Sequence, residues 1–507
     1  MPFFSLRPVR GPVAVTAAVT AAVTAALMAL LVVPQPLLHA QSASPSRSYP
    51  QLLSLFTEWR TFEEPPRRDG IPDYTPPTNA RRLAALRALQ AKLRAIDTTG
   101  WRVPEQVDWH LVRAEMNGMQ YHLTVLTPFS RDPAYYASVR TEESDTPAEE
   151  GPMIHGAVRL WRYPVWPRTV LDQSRALNAD ESRRLTAQLN TIPPLLRQAR
   201  VNLANGNAKD LWVGAVKTFE EQHDALGTLA TLVGTANPND SALKAAIAGA
   251  ASATESFAGW LRTEAPKKTG KSGIGTTQYT WFLKNVLLVP LSWEEEVTIT
   301  RRELARAHAS LRLEETRNAA LPPMPVAKSA AQFATMQAEA LPRYMQFFRD
   351  KGIVTVEPWM ERALRERFQS YSPEATRNFF SQATHRDPRT LWTHLWHWWD
   401  NGRFREHPHA SPIRRTPLLY NVWMSRAEGM ATSMEEWMMQ AGLYDQSPRS
   451  REIVWTMLAA RAARGLAHRR RCRSAPVLPR WGAGSGNSAP QWPAPLRADF
   501  LPWKHRP

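Results

Sequence analysis

Apolar residues recur at three- and four-residue intervals along most of this chain, and that period belongs to one face of an α-helix. Leu52, Leu53, Leu55, Phe56 and Trp59 make such a face over 51–61. Leu83, Leu86, Leu89, Leu93 and Ile96 make the next, with Asn79 as the expected N-cap and Thr99-Gly100 as the end. Leu111, Met116, Met119 and Leu123 continue the pattern over 107–126. Further helices are predicted over 180–204, 208–234, 240–262, 292–317, 328–350, 357–369 and 373–384. Ser292 ahead of Glu294, Glu295 and Glu296 is a helix start whose carboxylates favour the positive end of the macrodipole. A tryptophan-rich helix is predicted after Pro388 and a long one from Leu418 to Tyr444. Strand-like alternation is scarce, so the pattern predicts an all-α, large multi-helix body.

The period fails in four places. Residues 139–152 gather Glu142, Glu143, Asp145, Glu149 and Glu150 around Pro147 and Gly151, which reads as an exposed acidic loop. Ala265 to Ser272 (APKKTGKS) resembles a phosphate-binding loop, but Ala265 replaces the first glycine and a helix precedes it, so a basic turn is expected. At the N-terminus, Arg7 and Arg10 precede an apolar stretch from Pro12 to Val33, and Leu38-His39-Ala40 offers a cleavage site. Residues 1–40 are therefore predicted to be a signal peptide and the protein exported, periplasmic or extracellular; an uncleaved segment would instead be a membrane anchor. After Leu466 the helical text gives way to a basic, Pro/Arg-rich, irregular tail over 467–507. The abruptness of that change suggests a reading-frame shift near Ala467, with the helical domain at 41–466 left C-terminally incomplete.

Charge and cysteine narrow the picture. Of the net +17, residues 1–40 hold +2 and 466–507 hold +7, which leaves +8 spread over the 425 residues between. So diffuse an excess predicts no nucleic-acid partner for the body; only the tail has the clustering that such binding needs. Cys472 is the only cysteine, which excludes internal disulfides and cysteine-based metal sites.

Candidate chemistry concentrates late in the chain. His394 and His397 are one helical turn apart, and Asp400 extends the row. Glu428 and Glu435 are seven residues apart on a second helix, among Met430, Met434, Trp437 and Met438. Imidazoles and a carboxylate are the donors of a three-ligand catalytic zinc site, in which zinc acidifies a bound water. The competing readings are histidines packed among tryptophans, and a buried pair of these glutamates with Arg414, Arg415 or Arg426. His407 and His409 flank Pro408 in a predicted surface loop.

Three segments carry a family resemblance. They are DWHLVRAEMNGMQYHLTVLTPFSRDP from Asp108, YTWFLKNVLLVPLSWEEE from Tyr279, and RAEGMATSMEEWMMQAGLYD at 426–445. Together they resemble the bacterial domain-of-unknown-function family 885, over roughly residues 50–467. The resemblance implies a mostly helical, zinc-carboxypeptidase-like fold with a His-Glu-x-x-Pro-Gly-His metal motif and a later Glu-Gly-x-Ala-x-x-x-Glu helix. Glu428, Gly429, Ala431 and Glu435 stand in the helix motif, so Glu428 inherits a metal-ligand role. His394 corresponds to the first histidine, but Leu395 stands where the family has its general-base Glu, and Trp398-Trp399 stand near the Pro-Gly.

These readings predict a zinc-dependent peptidase-like protein acting on peptides by metal-activated water. His394, His397 and Glu428 would hold the metal, and Asp400 or Glu435 would act as base. The alternative is a non-catalytic helical binding protein of the cell envelope.

Overall fold

Prolines, more than polar caps, start the first helices. Pro fixes a helical φ and has no N–H to leave unsatisfied, so it suits the first turn. Helix α1 (Tyr49–Phe62) begins this way, and after a two-strand hairpin, β1 (Arg67–Arg68) and β2 (Ile71–Pro72), so does α2 (Pro76–Ala95). Thr75 is therefore the N-cap of α2 and Asn79 lies inside it, buried, donating through Nδ2 to Tyr74 O at 3.0 Å. The computed structural model describes residues 46–140, 158–159, 176–365, 367–415, 418–420 and 423–472. The predicted signal peptide, nearly all of the acidic loop and the tail beyond Cys472 lie outside these residues.

Helix α3 (Val103–Tyr121) continues into a π-helical turn, His122–Leu126, which ends at Thr127 with φ +38°, a left-handed conformation unusual for a residue with a side chain. Helix α4 (Pro128–Arg131) follows, then β3 (Val139–Arg140), parallel to β4 (Val158–Arg159). The predicted single helix over 180–204 is two, α5 (Ala179–Leu189) and α6 (Ile192–Asn202), because Pro193 and Pro194 begin a new helix. Helices α7 (Lys209–Ala236) and α8 (Ser241–Glu264) pack along each other, with Phe219 and Phe257 edge to face at 4.6 Å. The APKKTGKS turn leaves α8 through a 3-10 turn, and Lys268 lies 4.0 Å over the Trp212 ring. It is the basic turn expected, held by its aromatic neighbour.

Helix α9 (Thr276–Asn285) leads to α10 (Trp293–Arg317), whose Ser292–Glu295 capping box matches the sequence signal. Then come α11 (Ala330–Lys351), α12 (Pro358–Arg365) and α13 (Phe379–Thr384), the last preceded by a 3-10 turn. The predicted helix after Pro388 is interrupted, giving α14 (Arg389–Trp392) and α15 (Trp396–Glu406). Helix α16 (Pro412–Arg415) precedes α17 (Trp423–Gln440), and α18 (Arg449–Cys472) runs beyond the predicted stop at Leu466 while packing along α10.

Two large apolar clusters result. One gathers α1 to α8 around Trp59, Leu86, Trp212, Phe219 and Phe257. The other gathers α10, α11, α12, α14, α15, α17 and α18 around Tyr344, Phe348, Trp392, Trp399, Met434, Met438 and Tyr444. The segment before α17 ties them together. Asp108 of α3, 1 % exposed, accepts hydrogen bonds from Tyr49 Oη (2.6 Å), Ser411 Oγ (2.7 Å) and Arg414 Nε (2.5 Å). Glu115, one side of α3 further on, accepts from the Leu419 and Tyr420 amides at 2.7 and 3.0 Å. Gly118 is required there, because a β-carbon would collide with Tyr420. α17 therefore starts at Trp423, later than Leu418, since 418–420 is spent on this crossing.

Burial pushes Glu115 up to about 8, with the Glu63 charge adding to the effect and the two backbone donors opposing it. The unfolded carboxyl titrates near 4.5. Between those values the unfolded chain has released the proton that the folded chain still holds, so stability falls as pH rises through this window. Denaturant titrations across it should show the wild type losing stability relative to Glu115→Gln. Parallel profiles would refute the assignment.

Candidate metal centre

The interruption between α14 and α15 decides how the two histidines meet. His394 lies in the break, its amide bonded to Leu391 O at 2.9 Å, and His397 is in the first turn of α15. Their rings sit edge to face, 5.3 Å between centroids with planes 85° apart. Helix α17 brings Glu428 across to both. Its Oε2 is 3.4 Å from His394 Nε2, and its Oε1 is 3.8 Å from His397 Nε2. One donor atom from each of the three residues falls within 4.8 Å of the other two. Donors sharing a tetrahedral zinc at bonds of roughly 2.0–2.2 Å lie about 3.4 Å apart, so the observed spacing is that of a ligand set slightly relaxed.

The donor atoms need a partner. His397 is 1 % exposed at its side chain, and neither of its ring nitrogens has a hydrogen-bond partner among the described residues; nor does Glu428 Oε1. At 3.8 Å the His397–Glu428 approach is too long for a hydrogen bond. Buried polar atoms left this way are costly, and a shared cation would satisfy both. The alternative pairing of Glu428 with arginine does not form with Arg414, which serves Asp108, or with Arg415, which serves the His409 and Ala410 carbonyls. The Arg426 side chain lies outside the described residues.

Glu435 occupies the other nitrogen of His394. Its side chain is 0 % exposed, with Oε1 2.8 Å from His394 Nδ1 and Oε2 2.5 Å from Arg461 Nη1 on α18. A carboxylate on the nitrogen that does not ligate is the usual orienting partner of a metal-bound histidine. Asp400, buried on α15, reaches Arg403 at 3.1 Å and is not part of the three-residue convergence. Leu395 is half-buried against the second apolar cluster. His407 and His409 are exposed, as expected, with His409 Nδ1 accepting from the Ser411 amide.

Electrostatics divide the histidines. Burial lowers His394, but its interactions with the accepting carboxylates of Glu428 and Glu435 outweigh it and hold the ring above its ordinary value. Burial, then the neighbouring His394 charge, lowers His397 to about 4, so it is a neutral imidazole. Burial raises Glu428, yet its His394 hydrogen bond and the surrounding positive charges hold it below the usual range. Neutral imidazole and ionised carboxylate are the forms that ligate.

Arg461 is the member that the motif reading missed. It shares a helix face with Val454, Met457 and Leu458, and a charge on such a face must be paired. That was its only signal in the sequence.

The model of the family described as "Bacterial protein of unknown function (DUF885)" matches residues 57–384. The match ends before His394, so the centre lies outside it. Among solved structures, the chain is similar to "a putative lipoprotein of unknown function from Shewanella oneidensis" at 15 % identity and a TM-score of 0.54, covering 85 % of this chain and 90 % of that one. At that identity the likeness is one of fold. No curated protein matches the chain.

Removing Glu435 leaves the Arg461 charge buried without its partner. Glu435→Ala should destabilise the protein by about 3–5 kcal/mol in chemical denaturation, whereas exposed His409→Ala should stay within about 0.5 kcal/mol. Equal, small effects would show that the Glu435 contacts do not hold the centre.

Proposed function

The chain belongs to the DUF885 family of bacterial proteins, and from that premise and the geometry of the centre we propose that it is an exported zinc-dependent hydrolase acting on peptide bonds. The carrying observation is the convergence of His394, His397 and Glu428 with buried donor atoms that have no protein partner. Those three residues would hold the metal, with their donor set and spacing suited to zinc. When bound, zinc would supply a Lewis acid and lower the pKa of a coordinated water toward neutrality.

The chain's own residues have distinct tasks in this reading. Glu435 lies 2.8 Å from His394 Nδ1, a contact that turns Nε2 toward Glu428. His397 stays neutral in its buried setting beside Trp398. With Glu435 committed to His394 and Arg461, Asp400 is the carboxylate left to accept a proton, by releasing Arg403, whose side chain is 51 % exposed. Export rests on the basic-apolar segment at 1–40 and on the Shewanella protein being described as "a putative lipoprotein". Among the described residues no helix is long and apolar enough to cross a membrane.

One observation favours a second reading. Leu395 puts an apolar side chain where the resembled motif has its base, which suits an envelope protein that binds metal and peptide without cutting.

Metal analysis of the purified full chain after zinc loading should find one zinc per chain, lost in His394→Ala and in Glu428→Ala. Zinc at 100 times its dissociation constant should stabilise the wild type by about 2.7 kcal/mol. A wild type that retains no zinc ends the metal reading. A zinc-bound wild type that leaves mixed peptides intact by mass spectrometry selects binding over hydrolysis.

A further inference from the structure

Arg461 uses only half of its guanidinium fork. Its side chain is 15 % exposed, its Cζ lies 5.9 Å from the centroid of the Phe380 ring, and Nη1 contacts Glu435 Oε2 at 2.5 Å. Nη2 is buried and has no hydrogen-bond partner among the described residues. Leaving a buried charged donor unpaired costs about 1–3 kcal/mol or more, so a fold that keeps one has a use for it. Phe380 covers one side of the guanidinium and Glu435 holds one end, which fixes the fork and leaves Nη2 as a preset donor. The same Glu435 reaches His394, so this donor sits one carboxylate away from the metal-facing imidazole. A planar guanidinium with one free N–H recognises an anionic oxygen, above all a carboxylate.

We propose that Arg461 is an anion-binding residue of the centre, pairing through Nη2 with a carboxylate of the molecule bound at His394, His397 and Glu428. Nη1 keeps Glu435 against His394 at the same time. The proposal rests on the metal reading above and narrows its substrate class to peptides that present a carboxylate beside the scissile bond. It also gives α18 a functional part, through a residue well inside the helix and ahead of the irregular tail.

The test uses the full chain loaded with Co²⁺, whose visible absorption reports both metal binding and acetate entering the centre. Wild type should bind Co²⁺ and show saturable spectral change with acetate. Arg461→Met should bind acetate at least ~10-fold more weakly and Co²⁺ ~10–100-fold more weakly, because Glu435 loses its anchor. Arg461→Lys, which keeps the charge but not the fork, should bind Co²⁺ nearly as wild type and acetate at least about threefold more weakly. If Arg461→Met does not fold, as judged by circular dichroism melting, Arg461→Lys carries the comparison. Unchanged acetate affinity in the folded variants overturns the proposal and leaves the metal centre standing. A wild type that takes up no Co²⁺ overturns both.

Discussion

Everything at the candidate centre depends on a carboxylate that water cannot reach. Glu435 is fully buried, and an ionised carboxylate in such a place is tolerable only when its oxygens are paired. Its partners come from different parts of the chain: His394 from the break between α14 and α15, and Arg461 from α18. Satisfying one charge therefore places three elements at once. The direction of the His394 ring follows, since a carboxylate on Nδ1 turns Nε2 toward Glu428. His397 has no comparable partner, and its two orphaned nitrogens leave its position to packing, with ring contacts to Trp398 and His394.

The same device appears a second time, at the other end of α17's approach. Asp108 and Glu115 are buried carboxylates on α3 that gather donors from 411–420, more than three hundred residues along the chain. Gly118 lets that segment lie against α3. Helix α17 is thus approached through contacts with one apolar cluster and packed into the other, and the site of Glu428 is set by both. Long-range order here is imposed by buried polar groups that need partners, inside a body whose bulk stability comes from apolar faces.

Family membership and chemistry separate along the sequence. The family match covers 57–384, and the likeness of fold to the Shewanella protein extends over 85 % of the chain. His394, His397, Glu428 and Glu435 all fall after the family match. A shared scaffold does not carry a reaction with it, and the support for a metal here comes from those side chains and their unpaired atoms. Leu395 is the sharpest departure from the resembled motif, and it lies half-buried against the second apolar cluster.

The sequence by itself determined that this is a helical protein, because apolar residues three and four apart can be buried only on helices. It also made legible the one-turn spacing of His394 and His397 and the capping box at Ser292, since both depend on residue type and short spacing, whereas Glu428 was set beside the histidines by the family resemblance. It misjudged what depended on backbone competition: Pro76 and Pro77 displaced Asn79 as a helix start, and Pro193 split one helix in two. Only the tertiary structure decided the roles at the centre. That Glu435 faces His394 and Arg461, that Asp400 turns to Arg403, and that α17 must begin after 418–420 are consequences of which distant elements meet. A carboxylate's role is set by the groups around it, and periodicity along a chain says which face a residue occupies without saying what that face will touch.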